Sequence, residues 1–188
     1  MIPYTYEQMQ AVVDEIAKQS DRGAALVAAS AVDNFLECLI IARLPQLEPK
    51  RQKALFSQPN SPLSSFSSKI EIGFALGLFD EERRVALHLI RDVRNRFAHK
   101  MDPIRFEDPD ICAMLEQRLP TGIKAYRTMS SREKFLLMVN TLIPVLGFAA
   151  YYPQIKINRL DCEPSFRSYV QATVDVLMRH VTSKTTGE

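Results

Sequence analysis

The chain is poor in the features that usually announce a function. Three cysteines, Cys38, Cys112 and Cys162, are an odd number with no C-x-x-C pair, a pattern that reads as reduced cytosolic thiols rather than a disulfide framework. A formal charge of +2 leaves no global electrostatic footprint of a dedicated nucleic-acid binder. Long apolar runs are missing as well. The longest, Leu142 to Tyr152, contains Pro144 and Gly147 and falls far short of the ~20 residues that cross a bilayer. The start, MIPYTYEQMQ, has neither the basic opening nor the apolar core of a signal peptide. A cytoplasmic protein without membrane association is expected.

Alternation of polar and apolar residues between hairpin turns is absent too, so no β-structure is expected. The nucleotide-binding and hydrolase signatures fail to appear: there is no Walker loop, G-x-G-x-x-G, G-x-S-x-G or H-E-x-x-H. No cofactor and no metal follow from the sequence.

What is present is helical periodicity almost everywhere. At 188 residues, with 46% hydrophobic and 24% charged side chains, the chain suits one domain that buries about two thirds of its unfolded surface. The expected fold is all-α, a single-domain bundle of about seven to eight helices over residues 1–181, with a frayed polar tail over 182–188.

A first helix is predicted over Tyr6 to Lys18, with Met9, Val12, Val13 and Ile16 on one face. Ser20-Asp21 caps a second, from about Arg22 to Leu44, which is apolar nearly all round apart from a strip of Ser30, Asp33, Asn34 and Glu37. Such a helix is central. Pro45 and Pro49 end it; a short basic helical turn (Lys50, Arg51, Lys53) and the loop SQPNSPLSS follow. Ser64 or Ser65 then caps a helix carrying Phe66, Ile70, Phe74 and Leu78, where Gly73 and Gly77 admit a neighbouring backbone. Asp80-Glu81-Glu82 favours the next helix start, and Pro103 stops that helix after His99-Lys100. A short helix around Asp110 to Leu119, a buried helix over Arg132 to Tyr151 bent by Pro144, and a last helix from about Ser165 to Thr182 complete the expectation.

The most informative stretch is LHLIRDVRNRFAH, Leu87 to His99. Ala86, Leu89, Ile90, Val93 and Phe97 form an apolar stripe, while His88, Asp92, Asn95 and His99 recur at i, i+4, i+7 and i+11 on the opposite side. Two of three histidines thus share one line, flanked by Arg91 and Arg94. One metal ion cannot bridge His88, Asp92 and His99, because His99 lies about 10 Å or more along a straight helix. A plain reading is a polar outer face with an Asp92–Arg96 pair at i, i+4.

Between Arg83 and Arg105 seven basic residues stand against two acids, a strip able to attract phosphate. The turn Leu76-Gly77-Leu78-Phe79 suggests a helix-turn-helix, but a recognition helix presents its N-terminal end to bases, and here that end is Asp80-Glu81-Glu82. Direct DNA binding is therefore expected to be weak or absent.

Two resemblances add to this reading. Arg94-Asn95-Arg96-Phe97-Ala98-His99 resembles the signature of HEPN-domain ribonucleases, helical proteins whose motifs meet at a dimer interface. That likeness implies His99 as acid or base at a ribose 2′-hydroxyl, Arg94 as stabiliser of phosphorane charge and Asn95 as the orienting residue of a metal-independent ribonuclease. Arg94 lies about 140° from His99 around an ideal helix, so a composite site needs a distorted end or a second subunit. The segments SDRGAALVAASAVDNFLECLI (20–40), LFSQPNSPLSSFSSKIEIGFALGLF (55–79) and LHLIRDVRNRFAHKMDPIRFEDPDIC (87–112) resemble, in wording, order and spacing, the mannitol operon repressor family. That resemblance implies a bacterial regulator, repressor-like, acting through a protein partner rather than by operator reading, and expected as a homodimer; RNA is the partner under the ribonuclease likeness. The repressor-family resemblance adds Arg22/Asp33/Lys69, by their position in its matching segments, to the α5 group His88/Asp92/Arg94/Asn95/His99 as an expected polar interaction site. Taken singly, Lys69 reads as a plain surface lysine, Arg22 as a first-turn charge and Asp33 as a surface carboxylate.

Overall fold

A computed structural model describes residues 5–118 and 128–152. Among these residues the structure is all-helical and contains seven helices: α1 (Tyr6–Lys18), α2 (Asp21–Arg43), α3 (Pro49–Phe56), α4 (Phe66–Ala75), α5 (Glu81–His99), α6 (Pro109–Arg118) and α7 (Ser131–Tyr151). The expected last helix over 165–182, the tail over 182–188 and Cys162 lie outside the described residues.

Capping chemistry sets the starts. Thr5 with Gln8, and Ser130 with Glu133, form reciprocal capping boxes on α1 and α7; Ser20, Ser65 and Asp80 each accept a backbone N–H three residues on. Pro49 does not only bar the continuation of α2. It is the first residue of α3, where its fixed φ suits helix and its missing N–H is no loss.

Helix α2 is the central rod. Nine of its residues are buried, and it packs against α1, α4, α5 and α7. By length and composition α2 and α7 are apolar enough to cross a membrane, yet 50% and 78% of those windows lie inside the bundle, as expected of core helices. α7 is continuous through Pro144, whose missing N–H leaves the Asn140 carbonyl without its usual donor.

The end of α4 differs from the expectation. Gly77 lies beyond the helix at φ +66°, with open space where a side chain would stand. Gly77 N–H donates to Phe74 O and Leu78 N–H to Gly73 O, the pair of bonds of a Schellman stop that needs a left-handed residue. Only Gly73 is there for closeness, and what it admits is the ring of Phe79 rather than a backbone. Phe74 does not join the buried stripe either. It is 37% exposed, with the Arg84 guanidinium 5.2 Å above its ring.

The α5–α6 connection is anchored by Phe106, fully buried between Phe97 and Phe135 at centroid distances of 4.8 and 5.0 Å. Its N–H donates to Asp21, which also receives Arg132. Arg132 in turn reaches the carbonyls of Ala17 and Gln19. One end of the bundle, comprising the α1 exit, the α2 start, the α5 exit and the α7 start, is thereby tied together. This fixes where the last turn of α5 points.

Candidate functional site

The apolar side of α5 is as its periodicity dictates: Leu89, Ile90, Val93 and Phe97 are wholly buried, and Leu87 with them. The polar side is not one surface. Three neighbouring helices, α2, α4 and α6, divide it into separate environments.

At the first, His88 Nε2 lies 2.7 Å from Glu71 Oε1 of α4. Arg84 reaches the same carboxylate from Nη2 at 2.9 Å and Glu81 from Nη1 at 2.9 Å. Hydrogen bonds from Arg84, then His88, hold the Glu71 carboxyl below its ordinary range. His88 therefore belongs to an α4–α5 ionic seam.

At the second, Asp92 is shared. Arg91 Nη2 approaches Oδ1 at 2.6 Å, and Arg118 of α6 takes Oδ2 at 2.5 Å. Arg91 also donates to Ser67 Oγ at 2.8 Å. Burial pushes the Asp92 carboxyl up, but the bonds from Arg118 and Arg91 outweigh it, and the net direction is down. The expected Asp92–Arg96 pair gives way to this arrangement. Arg96 instead pairs with Asp110 at 3.3 Å, because α6 packs alongside and offers a carboxylate on the other flank.

Below Asp92, an open depression of about 490 Å³ is lined by Asp92, Asn95, Arg96, His99, Lys100 and Met114. Lys100 Nζ stands 3.8 Å from Asp108. His99 is exposed, and no hydrogen bond or ion pair engages it among the described residues. Asp92, Asn95 and His99 thus do share a surface, one that excludes His88.

Arg94 turns the other way. Its Nη1 donates to Asn95 Oδ1 at 2.9 Å, and its charge acts on Asp33 of α2. Asp33 lies 2.8 Å from Lys69 Nζ, and Glu37 lies 3.0 Å from the same nitrogen. Lys69 is no surface lysine: it is 3% exposed, inserted from α4 between two carboxylates one helical turn apart. Burial raises the Asp33 carboxyl, against the opposing pull of Lys69. The buried lysine and Arg94 therefore flank one aspartate.

Arg22 stands apart from Asp33 and Lys69, eleven residues or roughly 16 Å along α2 from Asp33. Its Nη2 donates to the carbonyls of Lys100 at 2.7 Å and Asp102 at 2.9 Å, so it caps the exit of α5 from outside. Among the described residues no three histidine, cysteine or carboxylate side chains converge as a metal site would require.

Several participants were not singled out from sequence. Glu37 carried a signal, four residues after Asp33 in the polar strip of α2. Glu71, Arg118, Asp110 and Met114 carried none, because each reaches α5 from another helix. For Arg94, Asn95 and His99, α5 runs to its end at His99, and Asn95 alone touches both the Arg94 side and the depression.

No family model matches this chain, and no curated protein matches it. Among solved structures, the X-ray structure of the MtlR–HPr complex from Escherichia coli shares its fold, with a TM-score of 0.60 over 74% of this chain and 98% of the matched one, at 14% identity.

Proposed function

We propose that this chain is a bacterial transcriptional regulator of the mannitol operon repressor type that acts in the cytoplasm, as a homodimer, by binding another protein. The observation that carries the reading is the depression at the end of α5. It is open, it lies on a part of the bundle fixed by Arg22, Asp21 and Phe106, and it presents an exposed imidazole, unengaged among the described residues, beside Asn95, Arg96 and Lys100. An open depression on a fixed part of the bundle suits contact with a macromolecule better than capture of a small ligand. The fold likeness to a protein solved in complex with HPr supports a protein as the occupant. The acidic start of α5 argues against that helix entering a DNA groove.

The test is titration of the purified chain with HPr by calorimetry, alongside sedimentation of the chain alone. Saturable binding that weakens at least about ten-fold in an Arg96→Ala/His99→Ala variant is expected, corresponding to about 1.4 kcal/mol. Tight sequence-specific binding to an operator duplex with no partner present overturns the reading.

A second reading, a metal-independent ribonuclease, is favoured by the exposure of His99 next to Asn95. It requires RNA cleavage in chelator that His99→Ala abolishes. Intact RNA after incubation with concentrated wild-type protein eliminates it.

A further inference from the structure

Met101 is 95% exposed, whereas Met9, Met129 and Met138 are 2%, 6% and 4% exposed and Met114 is half-buried in the wall of the depression. Full exposure of a methionine forgoes about 1.5–3 kcal/mol of burial, and its position is not that of a loose tip. Arg22 grips the carbonyls on both sides of it, Lys100 O and Asp102 O. Pro103 restricts the following φ, and Ile104 and Phe106 then dive into the core. The backbone is held while the thioether is held out, directly after His99 and Lys100 of the depression.

We propose that Met101 is a modification site, oxidised by hydroperoxides to the sulfoxide ahead of the buried Met9, Met129 and Met138. The sulfur attacks one oxygen of hydrogen peroxide and gives up two electrons; the O–O bond breaks, an S–O bond forms, and the second oxygen leaves as water with both hydrogens. The product is polar where the thioether was apolar. Resting on the docking reading above, this change replaces an apolar side chain next in sequence to Lys100 of the partner surface by a polar one and weakens binding.

The experiment treats the purified full chain with limiting hydrogen peroxide, quenches it with catalase and follows each methionine by peptide mass spectrometry. Met101 is expected to convert at least about ten-fold faster than Met9, Met129 and Met138, in step with access to sulfur, with the thermal midpoint unchanged. Conversion of Met101 no faster than those three overturns the site. Met101→Leu keeps an apolar side chain that peroxide cannot oxidise. Treated wild type is expected to lose HPr affinity while treated Met101→Leu retains it, and unchanged affinity in treated wild type overturns the regulatory half. If HPr binds neither protein even before treatment, the docking reading fails, while the peptide map still decides the site.

Discussion

Lys69 of α4 and Asp33 of α2 are joined at 2.8 Å with the lysine almost wholly out of water, and Glu37 completes the contact at 3.0 Å. Removing the cation leaves two carboxylates facing each other at a helix interface. Breaking a buried ion set from one side is far more costly than replacing the set by neutral groups. Lys69→Met is expected to lower stability by about 3 kcal/mol, toward the low end because both acids keep some exposure. Adding Asp33→Asn and Glu37→Gln is expected to restore part of that loss. Urea denaturation checks both, and an unaffected Lys69→Met refutes the structural role of the cluster.

Asp33 and Asp92 predict opposite effects of pH on stability. The Asp33 carboxyl is raised by burial, so above about pH 3.9, where the unfolded chain ionises, the folded state binds more protons and stability falls with rising pH until Asp33 itself ionises. The Asp92 carboxyl is lowered, because the bonds from Arg118 and Arg91 overcome its desolvation. Its contribution is fully present above about pH 3.9 and is lost as pH falls through its folded value. Asp33→Asn should remove a decline on the higher side of that point, and Asp92→Asn should flatten the acid limb on the lower side. Denaturant midpoints measured from pH 3 to pH 6 separate the two, and identical profiles for both variants contradict the assignment.

Most of the helical skeleton was legible because its signals are local. Thr5, Ser20, Ser65, Asp80 and Ser130 cap within three residues, and the α5 stripe repeats at the helical period, so neighbours in sequence suffice. Where the reading went astray, a tertiary partner or a backbone angle decided. Phe74 has the spacing of a core residue yet lies under Arg84, and Gly77 serves a left-handed turn rather than a close contact. Lys69 has the composition of a surface residue and the surroundings of a buried one, because two acids of α2 meet it. The candidate site follows the same rule. Asp92, Asn95 and His99 were legible as one face, but His88 was drawn away by Glu71 and Asp92 was claimed by Arg118, contacts to which helical periodicity is blind.

The two buried glycines of α4 and α7 should respond differently to alanine. A Cβ on Gly73 meets the Phe79 ring at 2.7 and 2.9 Å, and that ring is itself buried. A Cβ on Gly147 overlaps the Met9 sulfur, the far part of a flexible side chain, with Phe35 at an ordinary 3.5 Å. Alanine gains about 1 kcal/mol of helix propensity in either place. Overpacking against a fixed ring costs about 1–3 kcal/mol and should win at Gly73, whereas rotation of Met9 should leave Gly147→Ala near neutral. Thermal melts of the two variants decide it; a Gly73→Ala protein as stable as the parent contradicts the close approach.

Arg132 at the start of α7 carries a larger share of the architecture than its half-exposed state suggests. It pairs with Asp21 and donates to the carbonyls of Ala17 and Gln19, which end α1, while Asp21 also accepts the N–H of Phe106. Those carbonyls are the unpaired acceptors that every helix end leaves, so loss of the guanidinium exposes them and frees Asp21 from its charge partner. Charge-assisted bonds contribute about 1.5–3 kcal/mol each when shielded; partial exposure and water replacement reduce the sum. Arg132→Met, which keeps most of the apolar stem, is expected to lower stability by about 2 kcal/mol and to speed amide exchange at Phe106 selectively, because that N–H depends on an aspartate Arg132 holds in place. Uniform acceleration across the core, or none at Phe106, breaks the proposed link between the α7 start and the loop that sets the end of α5.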